Sequence, residues 1–403
     1  MSSVIISPSA LHGTVRVPSS KSAGHRALIC AFLSGCSTVN GIDSSQDILA
    51  TQNALAALQN GDRTVDCHES GSTLRFMIPL AAALGRTVTF VGSGKLPQRP
   101  IDEYLRLLPA HGVTCRYNGS LPLTVSGQLQ SGVFSVRGDV SSQYITGLLL
   151  ALPLLDGDSE IRLTTALLSA PYVDMTVKVM RDFGVTVNRT ENGFFVKGKQ
   201  TYQPCAYTVE GDWSQAAFFM AAGALHGPVH VTGLDWHSTQ GDREIATILK
   251  RFGAALTVTE DGVTVSKAPL HGITVDVSNI PDTAPTVAVL GALASGTTVI
   301  TGGERLRIKE SDRIACVVNN LKKAGIQAQE TPDGMIIKGG LPSGADLEGY
   351  NDHRIVMAMS VLALAATGRT QISEADSIRK SYPDFFNDYN SLGGKADVIG
   401  DRK

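Results

Sequence analysis

Apolar and polar positions alternate between two regimes six times along this chain. Apolar runs of helical length close on a small residue, usually glycine, and a β-rich segment follows each one. The copies span residues 27–35, 74–85, 144–157, 215–227, 283–296 and 354–368. After the first copy, Gly85, Gly157, Gly227, Gly296 and Gly368 recur at spacings of 72, 70, 69 and 72 residues. A fixed period of this kind marks one supersecondary unit used repeatedly. A second pattern is interleaved with the first. Residues 111–125, 183–196, 252–265 and 324–337 each read as a helix end, a strand, a turn and another strand. Glu191-Asn192-Gly193, Glu260-Asp261-Gly262 and Pro332-Asp333-Gly334 supply turn residues that accept positive φ, as tight hairpins require.

Each unit is therefore strand, helix, strand, helix, hairpin, an α/β (α+β) βαβαββ module that must stack on its neighbours to cover its apolar face. Six units divide into two similar domains of three repeats. Residues 21–210 make the first. Residues 1–20 and 211–403 make the second, because the strand-like stretches Val4-Ile5-Ile6 and Gly13-Thr14-Val15-Arg16-Val17 have no unit of their own. Crossings near residues 20 and 210 are then expected to act as a hinge.

Composition narrows the class. The 403 residues carry a formal net charge of −2, and 18% of them are charged. A nucleic-acid or membrane surface would call for a clustered basic excess, so neither partner is expected. No apolar run is long enough for a transmembrane helix, and the first residues lack the pattern of a signal peptide. The six cysteines are scattered without a Cys-x-x-Cys, which predicts reduced buried thiols and a cytoplasmic home.

Capping and anion-binding residues stand just before the repeated helices. A helix N-terminus offers unpaired N–H groups and a partial positive charge, which suits anions. Lys21, Ser22 and Arg26 open the first copy, with Ser22 read as its hydroxyl cap. Glu69-Ser70-Gly71-Ser72-Thr73-Leu74-Arg75 opens the second, and its glycine permits close approach of a ligand. Arg99 lies in a Gly/Pro-rich loop and can grip an anion with its fork of donors. Ser141-Ser142-Gln143 precede the third copy, joined by Ser169 and Tyr172. Asp282 reads as the cap of the fifth, or as a carboxylate that holds or deprotonates a hydroxyl. Seven charged residues fall between Glu304 and Arg313, including Arg307, Lys309, Glu310 and Asp312. Tyr350-Asn351-Asp352-His353-Arg354 opens the last copy, and Lys380 follows in Lys380-Ser381-Tyr382-Pro383-Asp384. No second histidine stands at ligand spacing from His353, so no metal site is expected.

In this order, from about Leu11 to Asp384, these clusters resemble the 5-enolpyruvylshikimate-3-phosphate synthase family. The most specific parts are Lys21-Ser22 with Arg26, the run from Arg307 to Arg313, and Tyr350-Asn351-Asp352-His353-Arg354. The resemblance implies an inside-out α/β barrel of two three-repeat domains with the site between them. It also implies transfer of the enolpyruvyl group of phosphoenolpyruvate to the 5-hydroxyl of shikimate-3-phosphate without a cofactor; a monomer is expected. Lys21, Ser22, Arg26, Ser141, Ser142, Gln143, Ser169, Tyr172, Asp282 and Lys309 would bind shikimate-3-phosphate. Lys21, Gly71, Arg99, Gln143, Arg313, Arg354 and Lys380 would bind phosphoenolpyruvate. Asp282 would be the base, with Glu310 or Lys21 the acid. The chain departs from the family at Arg305, where asparagine is frequent, and at Glu69-Ser70-Gly71-Ser72-Thr73, where Asn-Ala-Gly-Thr-Ala is usual. A related transferase acting on a UDP-sugar would carry a cysteine where Gly94 stands and an asparagine in place of Ser22. A non-catalytic repeat scaffold would spread its charge along one face.

Overall fold

The computed structural model describes residues 2–400. The chain divides into two compact units, one of residues 20–209 and one of residues 1–19 with 210–403. Each has its own hydrophobic core.

The repeated module is visible in the strand pairing. In the 20–209 unit, Thr64–Asp66 lies parallel to Val88–Val91, with the helix Gly71–Ala83 as the crossover. Val88–Val91 then pairs antiparallel with Leu123–Gly127, which forms a hairpin with Val113–Tyr117. The next module repeats this order with Val133–Val136, Ser159–Leu163, Gly193–Val196 and Val187–Thr190 around the helix Ser142–Ala151. The third sheet has only two strands, Thr38–Asn40 and Ala206–Thr208.

In the other unit, all three sheets described have four strands. The chain start completes two of them. Ser3–Ile6 is sandwiched between Thr370–Ser373 and Ala396–Ile399, both antiparallel to it. Gly13–Arg16 lies parallel to Val229–Thr232. Sheets of this size cannot cover both faces, so the helices Trp213–His226, Ala284–Leu293 and His353–Leu364 are buried along nearly their whole lengths. Such all-round apolar helices belong in a core.

The helix boundaries differ from the periodicity reading. The helix at the third copy ends at Ala151, because Pro153 starts a tight turn, and Gly157 lies beyond it. Five of the six helices begin earlier than their apolar runs, whereas the fifth begins at Ala284, one residue inside its run. Gly35 does close its helix in the left-handed conformation. No described helix is long and apolar enough to cross a membrane.

Candidate active site

In the 20–209 unit, Ser20 caps the helix Lys21–Ser34 by accepting from the Ala23 N–H. This corrects the expectation that Ser22 is the cap. Lys21 and Ser22 lie instead in the first turn. The Lys21 ammonium pairs with the Asp47 carboxylate at 2.7 Å, and both side chains are largely covered. Asp47 belongs to the first turn of the helix Gln46–Asn60, where a carboxylate suits the dipole.

Arg26 is buried and tied from several sides. Its guanidinium donates to Thr176 Oγ1 at 2.7 Å, to the Ser22 carbonyl at 2.5 Å, to the Tyr172 carbonyl at 3.0 Å and to Thr146 Oγ1 at 3.3 Å. Burial pulls its pKa down to about 10, so it stays charged at neutral pH. Arg26 thus joins the starts of two helices, Lys21–Ser34 and Ala170–Asp182. Ser169, before the second, has a left-handed backbone with φ 56°.

The start of Gly71–Ala83 is the densest anion-seeking point of this unit. A methyl group at Gly71 would collide with the Arg99 guanidinium, and Arg75 lies close on the same side. Arg75 donates to Gln143 Oε1 at 2.8 Å and to the Pro100 carbonyl at 2.7 Å. Gln143 Nε2 in turn donates to Ser72 Oγ at 2.9 Å. Ser141 caps the helix Ser142–Ala151 through the Gln143 N–H, and Ser142 is buried in its first turn. Burial, then the neighbouring Arg99 charge, lowers the Arg75 pKa. Two guanidiniums beside one helix N-terminus favour a bound anion.

The other unit gathers Asp282, Lys309, Glu310, Arg313 and Arg354 into one ion-pair cluster. Asp282 Oδ1 lies 3.0 Å from Arg313 Nη1 and 3.7 Å from Lys309 Nζ. Asp282 Oδ2 lies 3.0 Å from Arg354 Nη2. Arg313 also holds Glu310 at 2.7 Å and Asp352 at 2.8 Å. Arg354 donates to Ser214 Oγ at 2.9 Å.

Burial alone would raise the Asp282 pKa. Arg354, Lys309 and Arg313 overcome that and hold the carboxyl well below its usual range. Burial lowers Lys309 to about pH 8 despite the opposing charge of Asp282. Burial also works against the Arg313 charge, but Asp352, Glu310 and Asp282 raise its pKa above the ordinary value.

Asp282 is not the helix cap. Thr283 occupies that position without a side-chain capping bond, because the neighbouring cations take the carboxylate. Asp352 does cap its helix, receiving the Arg354 N–H at 3.0 Å. Lys380 ends a short 3₁₀ turn and donates to the Asn351 carbonyl at 2.6 Å.

Arg75, Asp352, Ser214 and Asp47 were not among the residues read as functional from the sequence. Arg75 and Asp352 stand inside the motifs at residues 69–75 and 350–354, one just past a helix's first turn and the other as a helix cap. Nothing local marks Ser214 or Asp47, whose contacts reach 140 and 26 residues along the chain.

The chain matches the model of the EPSP synthase (3-phosphoshikimate 1-carboxyvinyltransferase) family over residues 5–64 and 57–389. It is 43% identical to the 3-phosphoshikimate 1-carboxyvinyltransferase of Clostridium kluyveri, over 98% of this chain and 99% of that protein. With the Clostridium novyi enzyme of the same name it shares 42% identity, over 98% and 99% respectively. Among solved structures, EPSP synthase from Acinetobacter baumannii superposes with a TM-score of 0.82 at 26% identity, covering 99% of this chain and all of that one. With its βαβαββ modules, its helix-start arginines and its lysine, arginine and aspartate motifs, the chain belongs to the EPSP synthase family.

Proposed function

We propose that the chain transfers the enolpyruvyl group of phosphoenolpyruvate to the 5-hydroxyl of shikimate-3-phosphate, releasing phosphate, as a cytoplasmic enzyme of aromatic biosynthesis. The observation that carries the chemistry is Asp282, a carboxylate kept ionised by Lys309, Arg313 and Arg354. An ionised carboxylate is what a proton acceptor requires. When anionic substrate engages those cations, their hold on Asp282 weakens and its proton affinity rises toward that of a working base.

Lys21, Ser22, Arg26, Ser141, Ser142, Gln143, Ser169, Tyr172, Asp282 and Lys309 are assigned to shikimate-3-phosphate. Lys21, Gly71, Arg99, Gln143, Arg313, Arg354 and Lys380 are assigned to phosphoenolpyruvate. The 5-hydroxyl oxygen attacks C2 as Asp282 takes its proton, while Glu310 or Lys21 delivers a proton to C3. This makes a tetrahedral intermediate with a methyl group. Loss of a proton from C3 and cleavage of the C2–O bond to phosphate then restore the double bond. Preorganised cations stabilise the departing charge, usually the largest catalytic effect available.

The test is phosphate release from phosphoenolpyruvate, measured with and without shikimate-3-phosphate. Release that needs both substrates, with a product heavier than shikimate-3-phosphate by one enolpyruvyl group, supports the reading. Release without the acceptor would contradict it.

A further inference from the structure

Two short segments of the 210–403 unit are locked together by an arrangement that the mechanism above does not use. Tyr350 and Asn351, directly before Asp352 and Arg354, have φ of 55° and 50°. Glu374, directly before the 3₁₀ turn Ala375–Lys380, has φ of 56°. Left-handed backbone is costly for a side chain such as Tyr or Glu and persists only where surrounding contacts enforce it. Here the contacts converge on one peptide residue. The Asn351 N–H donates to Glu374 Oε2 at 2.8 Å, and the Asn351 carbonyl accepts from Lys380 Nζ at 2.6 Å. The Gly349 N–H adds a bond to Ser373 Oγ at 3.2 Å. The two ends of one short turn, an acid and a base, therefore grip the two polar groups of Asn351.

We propose that Glu374 is a positioning residue for phosphoenolpyruvate binding, acting through Asn351 on Lys380 and Arg354. The proposal rests on the reading that these two cations hold phosphoenolpyruvate. An ammonium on a flexible four-carbon stem is poorly placed by itself. The Asn351 carbonyl fixes the Lys380 ammonium, and Glu374 fixes that carbonyl by holding the same residue's N–H. The same grip sets the chain entering Asp352, whose carboxylate orients Arg313 and receives the Arg354 N–H.

The test uses the full-length enzyme and steady-state kinetics with each substrate varied in turn. Glu374→Asp keeps the charge and tolerates left-handed backbone well, but withdraws the acceptor from Asn351. It should raise KM for phosphoenolpyruvate by about tenfold, the scale of one lost charge-assisted bond, with KM for shikimate-3-phosphate unchanged. Glu374→Gln keeps an oxygen at the same reach and should restore KM to within about threefold. In a Lys380→Ala background, Glu374→Asp should cost less than in the wild type, because one of the two cations it acts through is missing. Should Lys380→Ala raise KM for phosphoenolpyruvate while Glu374→Asp stays within about twofold of wild type, the positioning role is overturned and the site reading survives. An equal rise for both substrates in Glu374→Asp also overturns it. If Lys380→Ala leaves KM unchanged, the assignment of Lys380 fails, and the proposal fails with it.

Discussion

The Asp282 carboxylate lies 3.0 Å from the Arg354 guanidinium, and Arg354 donates a second bond to the Asp282 main-chain carbonyl at 3.1 Å. Arg354 thereby fixes both the charge and the backbone of the residue proposed as base. The pair is part of a larger balance, in which Lys309, Arg313 and Arg354 face Asp282, Glu310 and Asp352. Buried charges are tolerable because each has a partner of opposite sign.

Arg354→Ala and Lys21→Ala should therefore fail differently. Both should lose kcat/KM by about 2–5 kcal/mol, the scale of a lost charge-assisted contact to a desolvated anion. Arg354 is buried within the cluster, so its removal should also lower unfolding stability by about 3 kcal/mol or more. Lys21 keeps some exposure in its pair with Asp47 and lies outside the buried cluster, so its loss should cost less stability than that of Arg354. Urea denaturation of the two variants measures the contrast. Equal stability losses would contradict it.

Affinity for shikimate-3-phosphate should fall as pH rises through about 8, where burial has set the Lys309 pKa. The sign follows from the cation. Below that pH Lys309 is charged and attracts the substrate, and above it the ammonium is lost. The phosphate itself titrates lower, near pH 6, and does not contribute to this step. KM measured from about pH 7 to about pH 9 should rise in the wild type and stay level in Lys309→Ala. A level wild-type profile would remove Lys309 from the binding site.

Gly71→Ala should fold normally but bind phosphoenolpyruvate poorly. The added methyl meets the mobile end of Arg99, which can move aside. The core is untouched, while a guanidinium beside the helix start is displaced. A rise of about tenfold in KM for phosphoenolpyruvate, with thermal stability unchanged, is the expected outcome. An unchanged KM would mean that Arg99 does not act from this position.

The repeat was legible because each module buries a helix in the core, and the recurring apolar runs record that need directly. All three hairpins marked by Asn192-Gly193, Asp261-Gly262 and Asp333-Gly334 are present, but not through the positive φ expected: of these six residues only Gly193 has one, and each glycine instead leaves room for a neighbouring strand's carbonyl, that of Ile161, Val231 or Ile300. Helix ends were less legible. Apolar periodicity does not distinguish Ala151 from Gly157, whereas Pro153 and the polar first turns decide the boundaries. Motif residues such as Arg313 and Arg354 could be named from their neighbours in sequence. Their partners could not, since the bond from Arg354 to Ser214 joins residues 140 positions apart. Asp282 read in the sequence both as a helix cap and as a base; Thr283 holds the cap position, and the partners that keep Asp282 ionised, Lys309, Arg313 and Arg354, lie 27 to 72 residues away.

Asp282→Asn tests the central claim most directly. The substitution keeps the shape of the side chain and removes its basicity. Single-turnover kinetics, with phosphoenolpyruvate binding measured separately, should show chemistry slowed by about 10²–10⁴-fold. Phosphoenolpyruvate should bind at least as well as to the wild type, because Arg313 and Arg354 lose a competing carboxylate. Chemistry at the wild-type rate in this variant would contradict the account and turn attention to Glu310.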